Sequence, residues 1–429
     1  MSQSSLARRL GFIALIFYGT GDILGAGIYA LVGKVMELAG SGAWISFAMA
    51  GFVALLTGLS YAELSSRIPV SAGAAAFVKH AFPGRFMATQ IGVFVLGTGI
   101  SSAATVTTAF SGYLQEIFPM PAFIAQATLL VLLSLISFWG IQQSSWVNII
   151  FTTIEVSGLL AVIGVGLYLL DIPLLEKFWA KDFQSFDFSA IVAGITIAFF
   201  AFVGFEDMCN LADEAKEPAR DIPRAILIAL TIAAVIYLAV TLTMQIHFSR
   251  EDVIQSKTPL LLIFEKANLT WVLKYFSVVA IIAISNTALA NMIMASRLFY
   301  GMSREKLLPV SLGKVHAGRK TPWVAIILVF GITLALVMTG SVKVLAQTTS
   351  LLVFVVFACV NASLIRIKLR KEKHNGIQFS ILFPILGALC CFALFFQYSL
   401  DIYLRSLIFF GLGFVIWALQ GKLSKKHPK

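Results

Sequence analysis

Charge is scarce in this chain: Asp, Glu, Lys and Arg make up 12% of 429 residues, against 59% apolar ones. A soluble domain carries about 25% charged residues, so this chain lacks the means to cover a water-facing surface. Soluble enzymes, disordered tails and nucleic-acid-binding modules are therefore poor readings. Cysteine is sparse as well. Cys209, Cys359, Cys390 and Cys391 all lie in or beside apolar segments, which argues against a disulfide framework or a Cys-x-x-Cys metal site. Long polar connections are missing, the longest being Asp171–Asp187, Phe248–Lys257 and Ser303–Thr321. No GxxxxGK[ST] loop, HExxH, Ser/His/Asp or paired-Asp motif occurs in the apolar runs. No enzyme activity, cofactor or resident metal is expected. A cleavable signal peptide is not expected either, because Met1–Arg9 is polar and no small-residue cleavage site follows.

What the chain has is apolar length. Its mean hydropathy is +0.90, and a spanning helix needs about 20 mostly apolar residues. Candidate spans lie near 11–36, 41–66, 84–116, 122–139, 145–170, 188–211, 222–247, 271–301, 322–340, 343–367, 378–398 and 401–421. The expected fold is an all-α polytopic membrane protein of twelve spans, one transmembrane domain over residues 1–429. With the N-terminus inside, 23 of the 32 Lys and Arg residues fall in cytoplasmic segments, as the positive-inside rule asks. The net charge of +11 is then an orientation signal with no nucleic-acid role. Both termini are expected on the cytoplasmic side of the cell (inner) membrane, with the lipid bilayer as solvent.

Two spans carry marks of a break. The first holds Gly19, Gly21, Gly25 and Gly27 within nine positions, and each glycine in a helix costs about 1 kcal/mol relative to alanine. The sixth runs Phe199-Phe200-Ala201-Phe202-Val203-Gly204-Phe205-Glu206-Asp207. If spans one to five form a repeat, span six corresponds to span one, and paired irregular helices at corresponding places point to a midplane binding site. Unwound backbone frees N–H groups for a carboxylate and carbonyls for an ammonium or metal ion. Packing through small residues is the alternative use of such glycines. Asp22, Glu155, Glu206 and Asp207 also fall within spans, although a carboxylate at the bilayer centre costs on the order of 3 kcal/mol. No Lys or Arg lies deep enough to pair with them, which suits a cation, a proton or an amine. Glu63 and Glu116 sit at span ends and are read as interfacial. Ser285, Asn286, Thr287 and Asn291 offer neutral oxygens in span eight. Ser101, Ser102, Thr105, Thr107 and Thr108 in span three could line a path or pack.

Four stretches, in order, resemble the amino acid–polyamine–organocation (APC) superfamily of secondary transporters. They are Gly25-Ala26-Gly27-Ile28-Tyr29, Tyr61-Ala62-Glu63-Leu64 with Pro69 and Gly73, Glu214-Ala215-Lys216-Glu217-Pro218-Ala219-Arg220-Asp221-Ile222-Pro223-Arg224-Ala225, and Arg297-Leu298-Phe299-Tyr300-Gly301-Met302-Ser303-Arg304 followed by Leu308-Pro309 and Thr321-Pro322. The resemblance implies a LeuT-type five-plus-five inverted repeat over 11–170 and 188–367, two additional helices over 378–421, and alternating access around broken helices 1 and 6. It further implies that Ile23, Gly25, Ala26 and Gly27 present N–H groups to a substrate carboxylate. Phe200, Ala201, Phe202 and Gly204 would present carbonyls to its amine, with a Phe ring as gate. Ala26 stands where some members carry a hydroxyl, leaving one hydrogen bond unsupplied. Glu155 stands where some members carry a lysine in place of sodium, so that lysine mechanism does not transfer. Glu155 is instead expected to take up a proton or help bind a cation, and Asp22 beside the first break suggests a cationic amino acid or an amine.

The leading expectation is an amino acid permease with a small-molecule substrate, proton-coupled or exchanging. Coupling or gating falls to Glu155, Glu206, Asp207, Ser285 and Asn286, with a proton or sodium as the coupling ion. The rivals are a polyamine or organic-amine transporter and, from another class, a channel or a non-transporting nutrient sensor.

Overall fold

The computed structural model describes residues 6–180, 187–256, 258–339, 342–398 and 400–426, so part of each expected junction at 340–343 and 398–401 lies outside the described residues. Helices make the fold, and no β-strand occurs among the described residues. The principal ones are α1 Phe12–Ala39, α2 Ala43–Arg67, α3 Arg85–Ile117, α4 Ala122–Trp139, α5 Ile141–Tyr168, α6 Phe188–Phe200, α7 Pro218–His247, α8 Thr270–Arg304, α9 Trp323–Thr339, α10 Val342–Leu369, α11 Leu382–Phe395 and α12 Leu400–Lys426. Short helices at Gly73–Ala81, Ile172–Ala180, Arg250–Gln255 and Leu262–Lys266 fill the connections. Among the described residues ten helical stretches are long and apolar enough to cross a membrane, and Trp323–Met338 and Leu382–Phe395 are shorter apolar helices.

Local chemistry sets several boundaries. Pro218 occupies the first turn of α7, where its missing N–H has no helical partner to lose. Ser249 and Asp252 form a reciprocal capping box at the start of Arg250–Gln255, satisfying two backbone donors.

The outer surface is apolar. Leu135, Ile150 and Leu404 are each more than half exposed, at 58%, 54% and 56%, in keeping with helices whose backbone polar groups are satisfied internally and whose side chains face lipid. Inside, α1 packs against α5, α6, α7 and α8, α2 against α6 and α7, and α3 against α8 and α10. This leaves α1 surrounded, with its break held in the middle of the bundle.

Candidate functional site

The site begins with two interruptions of backbone. At Gly25 the chain leaves helical geometry (φ 11°, ψ −153°) inside α1. A Cβ there would stand 2.1 Å from Thr287 Oγ1 of α8, and one at Gly21 would stand 1.9 Å from Thr152 Oγ1 of α5. Glycine is thus required for close packing as well as for the kink. The second interruption follows α6. Ala201–Gly204 turn, and Phe205–Leu211 continues as a tighter 3-10 helix. Gly204 has φ 129°, a region that favours glycine, and a Cβ on it would meet the Asp22 carbonyl carbon at 3.1 Å. The two breaks therefore touch.

One side chain ties them together. The Tyr237 hydroxyl of α7 is 2.5 Å from Ile23 O, 3.2 Å from Leu24 O and 2.9 Å from Ala201 O. Its single hydrogen is shared among carbonyls from both interrupted helices. Phe47 and Phe202 pack edge-on to its ring at 5.9 and 5.0 Å between centroids. Nothing in the sequence distinguished Tyr237 from an ordinary aromatic residue in an apolar run.

A cavity of about 870 Å³ opens beside the joined breaks. Asp22, Ile23, Gly27, Phe200, Ala201, Gly204, Glu206 and Asp207 border it, with Thr287 and Asn291 from α8 and Thr98, Ser102 and Thr105 from α3. Gly25 and Phe202 are not on its wall, and the side chain of Ala26 lies outside the described residues. Phe200 and Tyr398 are aromatic rings at the cavity, whereas Phe202 is buried against Tyr237 and Gly51. The carbonyls expected to meet an amine are largely engaged. Phe200 O accepts from Val203 N–H at 3.2 Å, Gly204 O from Asp207 N–H at 3.1 Å, and Ala201 O from Tyr237. The cavity reaches the exposed residues Lys34 and Gln397 at one end of the bundle.

Three carboxyls form the cavity floor. Glu206 Oε2 accepts the Gly204 N–H at 2.9 Å, so it braces the turn after α6. The Asp22 and Asp207 side chains both border the cavity, and among the described residues neither enters an ion pair. Glu155 lies elsewhere. It is fully buried, off the cavity wall, among polar groups of α5 and α8. Asn286 Nδ2 donates to Thr152 Oγ1 at 3.0 Å and is 3.4 Å from Glu155 Oε2, Asn148 Nδ2 donates to Asn286 Oδ1 at 2.9 Å, and Thr152 Oγ1 donates to Phe17 O at 3.2 Å. Glu155 Oε1 has no hydrogen-bond partner. Ser285 bonds back to Ile281 O at 2.8 Å and takes no part in this network. In α3, Ser102 and Thr105 border the cavity while Ser101 and Thr107 are buried.

The opposite end is shut. Glu214, beyond the 3-10 helix, pairs with Arg297 of α8 at 3.0 Å, both side chains fully buried. Burial holds the Glu214 carboxyl above the usual carboxylate range despite the lowering effect of Arg297. Leu10 forms an isolated bridge with Ala215, through Leu10 N–H to Glu214 O and Lys216 N–H to Leu10 O, each 2.9 Å. Tyr61 packs edge-on to Phe77, Phe205 and Phe357 beneath the break. Glu63 differs from its interfacial reading: its side chain is fully buried and takes both Arg67 at 2.7 Å and Lys368 at 2.7 Å. The side chain of Glu116 lies outside the described residues.

The sequence pattern of the amino acid permease family matches residues 10–402. The branched-chain amino acid permease of Bacillus subtilis is 29% identical over all of this chain and 95% of its own length. The mouse cationic amino acid transporter 4 is 31% identical over 86% of this chain and 61% of its own. The methylthioribose transporter of B. subtilis is 29% identical over 99% of this chain and 95% of its own. A match across nearly the whole chain, on a helical bundle broken where two glycine-bearing helices meet, leaves one assignment: the chain belongs to the amino acid permease family, is a membrane transporter of the APC superfamily, and is not an enzyme.

Proposed function

We propose that this permease works by alternating access, binding an amino acid zwitterion between the breaks of α1 and α6. The observation that carries this reading is the contact of the two breaks at Asp22 and Gly204 on the cavity floor. The backbone of Ile23 to Gly27 would receive the carboxylate, and the α6 turn and the acids beside it the amine. Phe200 would gate. The twelve spans and the five-plus-five repeat belong to this proposal, and the packing supports them. In the repeat α1 corresponds to α6, α2 to α7 and α3 to α8, and the members of each of these pairs pack on one another. The pairing of α3 with α10 mirrors that of α8 with α5.

With both termini in the cytoplasm, the cavity faces outward and the Glu214–Arg297 end is the closed inner gate. Glu155, with Asn286 beside it, serves as a proton or cation site behind the wall, and Glu206, Asp207 and Ser285 complete the coupling set. A cationic side chain is the leading substrate feature, because three acids border the cavity. The same acids favour a second reading, an organic-amine transporter, in which the α1 backbone has no carboxylate to hold.

Thermal shift of the purified protein with L-amino acids and their decarboxylated amines separates the two. A ligand that binds only the folded state raises stability by RT ln(1 + [L]/Kd). Stabilisation by amino acids supports the zwitterion site. Stabilisation by amines alone replaces it with the amine reading. Uptake of the stabilising ligand into proteoliposomes, with saturation and counterflow, distinguishes a transporter from a channel or a sensor.

A further inference from the structure

From the cavity floor we infer that Asp22 and Asp207 form a shared proton site from which substrate ammonium displaces the proton, so that binding exchanges one for the other. This rests on the proposed amino acid or amine substrate and adds the chemistry of its coupling.

The geometry is specific. Asp22 comes from α1 just before its break, and Asp207 from the 3-10 helix just after the break in α6. Both border the cavity, and Asp22 Cγ lies 3.2 Å from where a Cβ at Gly204, three residues before Asp207, would stand. Both are nearly buried, at 4% and 5% exposure. The titratable groups that interact electrostatically with Asp22 or Asp207 are Tyr18, Tyr61, Glu155, Glu206 and Cys209, none of which carries positive charge. Two carboxyls on one buried floor without a basic partner are a place where a single proton serves both.

A separate observation points to a ligand. Asp22 Oδ2 has no hydrogen-bond partner, although Asp22 borders the cavity. The neighbouring carbonyls that could have met an amine already accept hydrogen bonds, from Val203, Asp207 and Tyr237. The acceptor left for an incoming ammonium is a carboxylate oxygen of the pair.

An ammonium brings one positive charge and needs an ionised acceptor. The pair supplies it by releasing its proton through the cavity to water, so the net charge of the floor is unchanged. Proton and ammonium then cannot occupy the pair together. Because the pair bridges both breaks, the two α1 and α6 interruptions are held by one cation at every stage.

The test is proton release on binding. Purified full-length protein in weakly buffered detergent solution at pH 7 is mixed with each of the twenty L-amino acids, putrescine, cadaverine and agmatine. A pH indicator counts protons, and calorimetry counts ligand. The expected result is about one proton released per ligand bound, with Kd rising up to tenfold per unit fall in pH. Asp207→Asn and Asp22→Asn each abolish the release, and if neither variant folds, the wild-type stoichiometry still decides. Binding without release, or with proton uptake, overturns the inference while leaving the transporter reading intact. Release lost in Glu155→Gln but kept in Asp207→Asn moves the exchanged proton behind the wall and also overturns it. A panel in which nothing binds removes the substrate reading and this inference with it.

Discussion

Tyr237 and Ala201 are joined by a 2.9 Å hydrogen bond, and through the same hydroxyl Ile23 and Leu24 are drawn to the same point. A residue on a continuous helix therefore sets the distance between two discontinuous ones. The Tyr237→Phe protein keeps the ring packing and loses only this tie. A buried acceptor left unpaired costs about 1–3 kcal/mol, so the thermal midpoint should fall while the protein remains monodisperse. Substrate affinity in the same preparation should fall with it. Unchanged stability and affinity would mean the three carbonyls need no common donor.

Gly204→Ala tests the contact of the breaks. At φ 129° with Asp22 carbonyl atoms 3.1–3.2 Å from the added methyl, strain of about 1–3 kcal/mol is expected. Uptake by proteoliposomes should be lost even where folded protein is recovered. Activity near wild type would show that α6 can shift away from α1 without harm.

The Glu214–Arg297 pair is fully buried, with Arg297 Nη1 also donating to Ser137 and Ser296 Oγ at 3.0 and 2.9 Å. Removing one partner of such a pair destabilises by about 3–5 kcal/mol. Glu214→Ala and Arg297→Ala should each unfold at markedly lower temperature. The double variant Glu214→Leu/Arg297→Leu should lie well above their summed loss. Additive losses in the cycle would deny the coupling.

Glu155→Gln keeps the size of the side chain and removes its proton. Accumulation driven by an imposed pH gradient should disappear, while exchange of labelled for unlabelled substrate continues. A pH dependence unaltered by the substitution would remove Glu155 from coupling.

His374 gives a pH prediction outside the spans. Burial lowers its pKa below the ordinary histidine value, helped by Arg67 and Lys368 and opposed by Glu63. Its folded state favours the neutral ring, which sits 3.1 Å from Ser66 Oγ. The unfolded chain then binds the proton more readily, so stability is complete above the ordinary value near 6.5 and declines as pH falls through it toward the lower folded value. Protection of the 370–380 amides, taken relative to the intrinsic exchange rate at each pH, should fall between pH 7.5 and 5.5, and His374→Gln should flatten that change. Equal protection at both pH values would exclude the ring as the cause.

Much of this arrangement was legible from the chain. Glycines at 21, 25 and 27, and Gly204 before two acids, marked the breaks because glycine weakens a helix, although close packing of spans uses the same residue. The acids were visible because carboxylates are conspicuous in apolar runs. What escaped notice depended on partners far along the chain. Glu63 looks interfacial until Lys368, 305 residues away in sequence, is brought beside it. Tyr237 carries no local signal, because a lone tyrosine in a span reads equally as packing. Which glycines border the cavity was also hidden: Gly25 faces Thr287 and Gly27 faces Ala201, a difference set by helix rotation in the bundle.

The bridge between Leu10 and Ala215 is made wholly of main-chain atoms. Its hydrogen bonds depend on spacing and need only an amide and a carbonyl, while the Leu10 side chain adds its own burial at 4% exposure. One residue inserted between Leu10 and the start of α1 would put the clasp out of step with the helix it fastens. At this end of the protein the count of residues matters alongside their identity.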